Sequence, residues 1–179
     1  MRTNYFELMK NICFNCLLLS AEIKDKLENK RSAAKSTKSC YLLSNLEKSL
    51  LQDFLPPFSR EDIFLLCDCL NSLHKKLELI KRRFEIYGKE IKTTAFESYI
   101  ICINDAFGLF YDAICNLEKR KTQDKIFENM KAVQKLLQAQ KPIKSKSFEQ
   151  MRIDEAILDL FKGFEELRRV IILTVLKNF

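Results

Sequence analysis

Seven cysteines and one histidine are the residues of this 179-residue chain whose side chains most often bind metals or act as nucleophiles. Cys13 and Cys16 form a C-x-x-C pair, and Cys67 and Cys69 precede His74. A zinc site needs four ligands that converge on one point. Cys67 and Cys69 lie about 200° apart around a helix of 3.6 residues per turn, so they cannot reach one metal ion. We therefore interpret the cysteines as small apolar core residues and expect no zinc site.

The other titratable residues do not form a recognisable catalytic set. The single histidine, His74, is followed by Lys75 and Lys76, and we expect it to be exposed. A Cys/His nucleophile pair stays open, although no neighbouring residue selects one. Glu165 and Glu166 are the most notable pair of carboxylates, and we interpret them as part of a solvated helix face. The sequence thus identifies no catalytic, cofactor-binding or metal-binding residue, and we expect a protein that is not an enzyme.

Composition and charge favour a helical protein in a reducing compartment. Hydrophobic residues make up 47% of the chain, with only three glycines and three prolines, which is typical of long helices with few breaks. The formal net charge of +7 permits contact with nucleic acid, anionic lipid or acidic protein, but the basic residues are spread over several segments. An odd number of cysteines argues against a disulfide framework, so we expect a cytoplasmic location.

No apolar run in the sequence is as long as a membrane-spanning helix. The longest, Val170–Leu176, is far shorter than the roughly 20 residues that a bilayer requires. The segment Ile12–Ala21 is also apolar and has some features of a secretory signal, but Glu7 and Asn15 interrupt that pattern. We interpret this segment as part of a core helix.

Apolar residues spaced three and four apart predict the helices. The pattern is most regular from Ser59 to Gly88, where prolines precede the helix, Ser59 is a predicted N-cap and Gly88 a predicted stop. Thr122 is a second predicted N-cap, and Ser147 with Gln150 has the spacing of a capping box. The six predicted helices run from about Asn4–Asn29, Ser39–Phe54, Ser59–Gly88, Ile91–Glu118, Gln123–Gln140 and Ser147 to the last residues.

The order of these helices predicts the fold class. A proline-containing break and a serine cap separate the second helix from the third, and the fifth from the sixth. This similarity indicates a repeated three-helix unit, with halves of about 1–88 and 89–179. Short connections favour antiparallel neighbours. We therefore predict a single all-α domain over residues 1–179, with six antiparallel helices as two three-helix units. These units form either one spectrin-like up-and-down bundle or two bundles end to end.

Two stretches of this sequence resemble a known family, the PhoU-like accessory proteins encoded beside low-affinity inorganic phosphate (Pit) transporters. The first stretch matches a pattern F-x-x-P-[IF]-x-R-E-D-I followed by a long helix and a tyrosine, and the second is VIILTVLKNF at the C-terminal end. The resemblance implies two three-helix units and a cytoplasmic regulator of phosphate uptake. The matching residues are Phe54, Pro57, Phe58, Arg60, Glu61, Asp62, Ile63 and Tyr87, then Val175, Leu176, Lys177 and Asn178.

The chain departs from the acidic motifs with which members of this family bind metal clusters. Four such motifs are expected, on the second, third, fifth and sixth helices. Carboxylates on facing helices bind hard cations, but non-acidic residues occupy most of these positions here. Those residues are Ser36 and Cys40, then Asn71, Ser72 and Lys75, then Ala132 as the partner of Glu128, then Arg169 beside Glu165 and Glu166. We expect a divergent member that binds no metal cluster.

Two functional hypotheses follow from these observations. In the first, the protein docks on a membrane phosphate permease or its regulator through helix faces and basic loops, and it forms a homodimer through leftover apolar residues. In the second, it is a general helical adaptor or nucleic-acid binder that uses three basic segments. Those segments are Lys30–Lys38, Lys119–Lys125 and Lys141–Lys146. The first hypothesis makes nucleic acid an unexpected partner.

Overall fold

A computed structural model describes residues 5–28, 50, 56–87, 94–119, 121–140 and 147–178 of the chain. These residues form α-helices joined by turns and contain no β-strand, which confirms the predicted all-α class. The predicted helix Ser39–Phe54 and the predicted stop at Gly88 lie outside the described residues, apart from Leu50, which is buried. The described helices are α1 (Tyr5–Leu27), α2 (Arg60–Tyr87), α3 (Thr94–Leu117), α4 (Gln123–Gln138) and α5 (Phe148–Asn178).

Serine caps begin two of the helices, as the sequence predicts. The backbone N–H of Asp62 donates to Oγ of Ser59 at 3.0 Å, and the N–H of Gln150 donates to Oγ of Ser147 at 3.2 Å. Thr122 occupies the N-cap position of α4, as predicted, but its side chain makes no capping hydrogen bond to that helix. Its hydroxyl instead lies 2.8 Å from the carbonyl oxygen of Asn116, so it stabilises the turn that leaves α3.

Contacts between the helices define a closed ring around one core, in the order α1, α2, α5, α4, α3. α1 and α2 run parallel, because the Cys16 thiol approaches the Leu70 carbonyl and Glu22, further along α1, pairs with Lys81. α3 is antiparallel to α1, as the Lys10–Glu118 ion pair at one end indicates. The ion pair of Lys125 with Asp112, and the contact of Cys102 with Leu136, show that α4 is antiparallel to α3. α5 is antiparallel to α2, because Lys177 pairs with Asp62 and Lys76 pairs with Asp159.

Aromatic side chains of α3 and α5 meet across the middle of this ring. The rings of Phe107 and Phe164 are perpendicular, with centroids 4.9 Å apart, and Phe110 lies 5.5 Å from the same ring. All three side chains are fully buried. Edge-to-face pairs of this kind add about 0.5–1.5 kcal/mol beyond the burial of their area. Phe107 and Phe110 of α3 are therefore core residues.

A glycine allows α2 and α5 to approach closely. A Cβ atom added at Gly163 would lie only 2.7 Å from Cδ2 of Leu73, which is itself buried in the core. Gly163 is therefore needed at this position for packing, although glycine costs about 0.5–1 kcal/mol inside a helix.

The helix α3 is the most apolar of the described helices. The segment Phe96–Leu117 is long and apolar enough, by length and composition alone, to cross a membrane. Of the most apolar stretch within this segment, 56% is buried inside the bundle. A core helix of a helical bundle satisfies the same criteria of length and composition. The remainder of α3 faces outward, and this outward face forms the site described next.

Candidate protein-docking groove

A groove of about 660 Å³ follows the outward face of α3. α1 forms one wall through Leu17, and α4 forms the opposite wall. The groove is open to solvent and lined mainly by apolar atoms, so its shape is that of a trough for an extended partner rather than an enclosed pocket. Its floor consists of Asn104, Asp105, Gly108 and Leu109, and the α4 wall of Ala132, Lys135, Leu136 and Ala139.

Small residues give this groove its depth. A Cβ atom added at Gly108 would meet no heavy atom within 4 Å, so the space above this residue is empty groove. Ala132 and Ala139, on the facing wall of α4, leave further room. The missing side chain at Gly108 and the short side chains of Ala132 and Ala139 therefore leave room for a bulky group from outside the bundle.

Polar and charged groups are few in the groove, and they have separate positions. In the floor, Oδ1 of Asn104 accepts a hydrogen bond from the Ser20 hydroxyl of α1 at 3.1 Å, and this contact fixes the orientation of the amide. Asp105 and Lys135 are both exposed and carry opposite charges. An apolar groove with an acid on α3 and a base on α4 can orient an amphipathic helix by its charges.

A cluster of polar residues fixes the distance between α3 and α4 beside the groove. The Asp112 carboxylate accepts hydrogen bonds from Nδ2 of Asn129 at 2.8 Å, from Nζ of Lys125 at 3.1 Å and from Nδ2 of Asn116 at 3.3 Å. Burial raises the pKa of Asp112, but these donors outweigh that effect and lower the pKa below its ordinary value. Neither the groove nor this cluster was expected. The only sequence signal for the groove is a glycine inside an apolar helix.

The two stretches that carry the family resemblance meet in space. Asp62, in the first turn of α2, accepts hydrogen bonds from Nζ of Lys177 at 2.9 Å and from Nδ2 of Asn178 at 3.3 Å. Asp62 is only 3% exposed. Burial raises its pKa, but the hydrogen bonds from Lys177, Ser59 and Asn178 outweigh that effect, so its pKa is lowered. The matched positions therefore form one structural contact between α2 and α5.

The acidic residues considered as metal ligands do not converge. Glu165 is bound to Arg168 of its own helix at 2.9 Å, whereas Glu166 lies near Cys69 of α2. Glu128 lines a separate groove of about 680 Å³ between α4 and α5, where Arg168 is also present. Among the residues that the structure describes, no group of three or more His, Cys, Asp or Glu side chains is arranged to hold a metal ion.

Five of the six cysteines in the described helices are buried, as predicted from the sequence. Cys13, Cys16, Cys67, Cys69 and Cys102 are buried, and Cys115 is half-buried. All six are free thiols. Burial raises the pKa of Cys67 to about 12 and those of Cys69 and Cys102 to about 11, so their reactive thiolate forms are scarce at neutral pH.

The expected exposure of His74 is wrong. This side chain is only 2% exposed, and its Nε2 atom has no hydrogen-bond partner among the residues that the structure describes. His74 follows Leu70 by four residues and precedes Lys81 by seven, so it shares the helix face that contacts α1. Desolvation by burial lowers its pKa, although Glu78 has the opposite effect.

The remaining predicted positions are divided between described and undescribed residues. Asn71 is buried, whereas Lys75 is exposed. Ser36, Cys40 and the basic segments Lys30–Lys38 and Lys141–Lys146 lie outside the described residues. In the third basic segment, Lys125 is bound to Asp112.

No protein-family model matches this chain, and no curated protein matches it.

Proposed function

We propose that this chain is a non-enzymatic, PhoU-like accessory protein that regulates inorganic phosphate transport by docking on a membrane phosphate permease. The observation that carries the proposal is the contact of Asp62 with Lys177 and Asn178. These residues belong to both sequence stretches that resemble the family. Their contact gives one structural role to residues of both stretches, because it joins the start of α2 to the end of α5.

The directions of the helices support the finer architecture of two three-helix units. In an up-down-up unit the first and third helices are parallel, and α1 and α2 have this relationship. α3 and α5 are also parallel, since Tyr99 contacts Phe161 and Phe107 contacts Phe164. The units pack through equivalent helices, α1 on α3 and α2 on α5. We propose that residues 39–54 supply the middle helix of the first unit.

The groove on α3 is the proposed docking site for a cytosolic segment of the permease. Its apolar floor, its open side and the opposite charges of Asp105 and Lys135 suit an amphipathic helix. Such a helix would bury its apolar residues above Gly108, with a basic residue near Asp105 and an acidic residue near Lys135. This mode of action requires no metal and no chemical step.

Substitution of Gly108 provides a direct experiment. Gly108→Phe directs a ring into the groove, because a Cβ atom at this position meets no heavy atom within 4 Å. Gly108→Ala adds only a methyl group at the same position and is the matched control. Tagged wild-type protein and both variants are recovered from native membranes in mild detergent, and the bound proteins are identified by mass spectrometry.

The expected result is that the wild type and Gly108→Ala recover an inorganic phosphate permease, whereas Gly108→Phe does not. Circular dichroism of the purified variants verifies that all three keep their helical content. Recovery of the permease by all three proteins contradicts the groove as the docking site. Recovery of nucleic acid without the permease, lost at high salt, favours the alternative hypothesis of a basic nucleic-acid-binding protein.

A further inference from the structure

The outward surfaces of α2 and α5 carry most of the large apolar side chains that are exposed. Nine of the eleven such residues in the described part of the chain belong to these two helices. α5 contributes five of them, Phe148, Met151, Leu158, Leu173 and Leu176, of which the last is 66% exposed. A concentration of exposed apolar side chains on one face marks a site of protein interaction.

Three charged residues share this face of α5 with the apolar ones. Glu155, Lys162 and Arg169 are exposed, and none has an ion-pair partner among the described residues. Other charges on the same helix are paired, as for Glu165 with Arg168. We name the outward face that comprises these three charges and the five apolar residues the α5 stripe.

The spacing of the α5 stripe is symmetric about Lys162. Phe148, Glu155, Lys162, Arg169 and Leu176 follow one another at intervals of seven residues, which is close to two helical turns. The apolar residues stand at both ends, and the charges on either side of Lys162 have opposite signs. A helix with this order is complementary to an antiparallel copy of itself, since a seven-residue repeat keeps the same face towards its partner.

We infer that the α5 stripe is the interface of a homodimer in which the two α5 helices pack antiparallel about a two-fold axis at Lys162. In this arrangement Phe148 faces Leu176 of the second copy, and Glu155 faces Arg169 of the second copy. Each contact occurs twice. The exposed Glu166 lies one turn from Lys162 and supplies an acidic neighbour for Lys162 of the second copy.

The position of α3 leaves the docking groove free in this dimer. In the ring of helices α3 is flanked by α1 and α4, so it lies across the core from the α2–α5 pair. The groove faces outward from α3, and the α5 stripe faces outward on the opposite side of the bundle. The dimer therefore does not depend on the proposed permease, and each can fail without the other.

A charge-swap series tests both the dimer and its register. Glu155→Arg places two arginines opposite each other twice per dimer, and Arg169→Glu does the same with two glutamates. The double variant Glu155→Arg/Arg169→Glu restores opposite charges in the same positions. Lys131→Glu, an exposed residue of α4, changes the net charge as much as Arg169→Glu and is the control. Sedimentation equilibrium of the full chain measures the dimer dissociation constant of each.

The wild type and Lys131→Glu are expected to be dimers of similar affinity. Each single reversal raises the dissociation constant about tenfold, because two exposed ion pairs become repulsive contacts. The double variant recovers the wild-type value, which a misfolded protein does not. A wild-type chain that stays monomeric at all concentrations overturns the proposal. A dimer that tolerates both single reversals, or that the double variant fails to restore, overturns the proposed interface.

Discussion

Asp62 and Lys177, 115 residues apart in sequence, form an ion pair of 2.9 Å between the first turn of α2 and the last turn of α5. Asp62 is almost fully buried, whereas Lys177 is more than half exposed. The contact therefore depends on the buried partner, whose carboxylate has no other counter-ion in the described part of the chain.

Asp62→Asn is expected to destabilise the protein by about 1–3 kcal/mol at pH 7, because the buried group loses its charge-assisted hydrogen bonds. The folded state lowers the pKa of Asp62 relative to the unfolded value of about 3.9. Its stabilising effect is thus fully present above that value and is lost as the pH falls through the lowered pKa. Urea unfolding at pH 7 and at acidic pH measures both effects.

The comparison for Asp62→Asn is Asp159→Asn, which removes a more exposed carboxylate from the ion pair with Lys76. This control is expected to change the unfolding free energy by less than about 1 kcal/mol. Equal effects of the two substitutions at pH 7 contradict the role assigned to Asp62.

Two glycines inside helices are expected to respond to alanine in opposite ways. Gly163→Ala brings a methyl group to 2.7 Å from the buried Leu73, and the crowding costs about 1–3 kcal/mol. Gly108→Ala meets no atom and gains about 0.5–1 kcal/mol from the better helix propensity of alanine. Urea midpoints of the two variants are compared with that of the wild type. A stabilised Gly163→Ala contradicts the close approach of α2 and α5.

Protonation of His74 is expected to oppose folding. Its folded-state pKa is lower than the unfolded value of about 6.5, so the unfolded chain binds more protons below that pH. Stability is therefore highest above pH 6.5 and falls as the pH decreases towards the lowered pKa. His74→Leu removes the unpaired buried Nε2 atom, and we expect it to be more stable by about 1 kcal/mol and to lose this pH dependence.

Because His74 is the only histidine in the sequence, its ring gives one set of NMR signals that can be followed without assignment. The pH titration of these signals reports the folded-state pKa directly. A midpoint at or above the ordinary histidine value indicates that the side chain is solvated or paired, contrary to its buried position.

Thiol reactivity is expected to distinguish core cysteines from functional ones. In a Cys40→Ser background, which restricts the measurement to the described cysteines, an aromatic disulfide reagent should label Cys115 in the native protein. The other five are buried and should react only on unfolding. Adding Cys115→Ser should remove the native reaction. Rapid labelling of Cys13 or Cys16 in the folded protein contradicts their assignment to the core.

The sequence was sufficient for features that depend on local patterns. The three-and-four spacing of apolar residues placed the five described helices to within a few residues, and the serine caps at Ser59 and Ser147 are confirmed. Both features arise within a single helix, because one requires only the helical period and the other only three consecutive backbone N–H groups.

Features that depend on contacts between helices could not be predicted in the same way. The neighbouring Lys75 and Lys76 predict that His74 is exposed, but α1 packs on the face of α2 that carries His74 and buries it. The groove required Gly108 to face outward between α1 and α4, and a helical repeat does not identify the neighbours of a helix. The hydroxyl of Thr122 contacts Asn116 because of the turn geometry after α3, which the residue types alone do not specify.

The antiparallel packing of α2 on α5 imposes an order on biosynthesis. α2 buries Leu73 against Gly163 and Asp62 against Lys177, so the side of α2 that faces α5 has no partner until α5 has left the ribosome. During translation this side of α2 therefore stays unpaired until residues roughly 80 to 115 positions downstream have been synthesised. Such long-range contacts slow the folding of a helical protein, and they make the nascent chain a substrate for chaperones that bind exposed apolar segments.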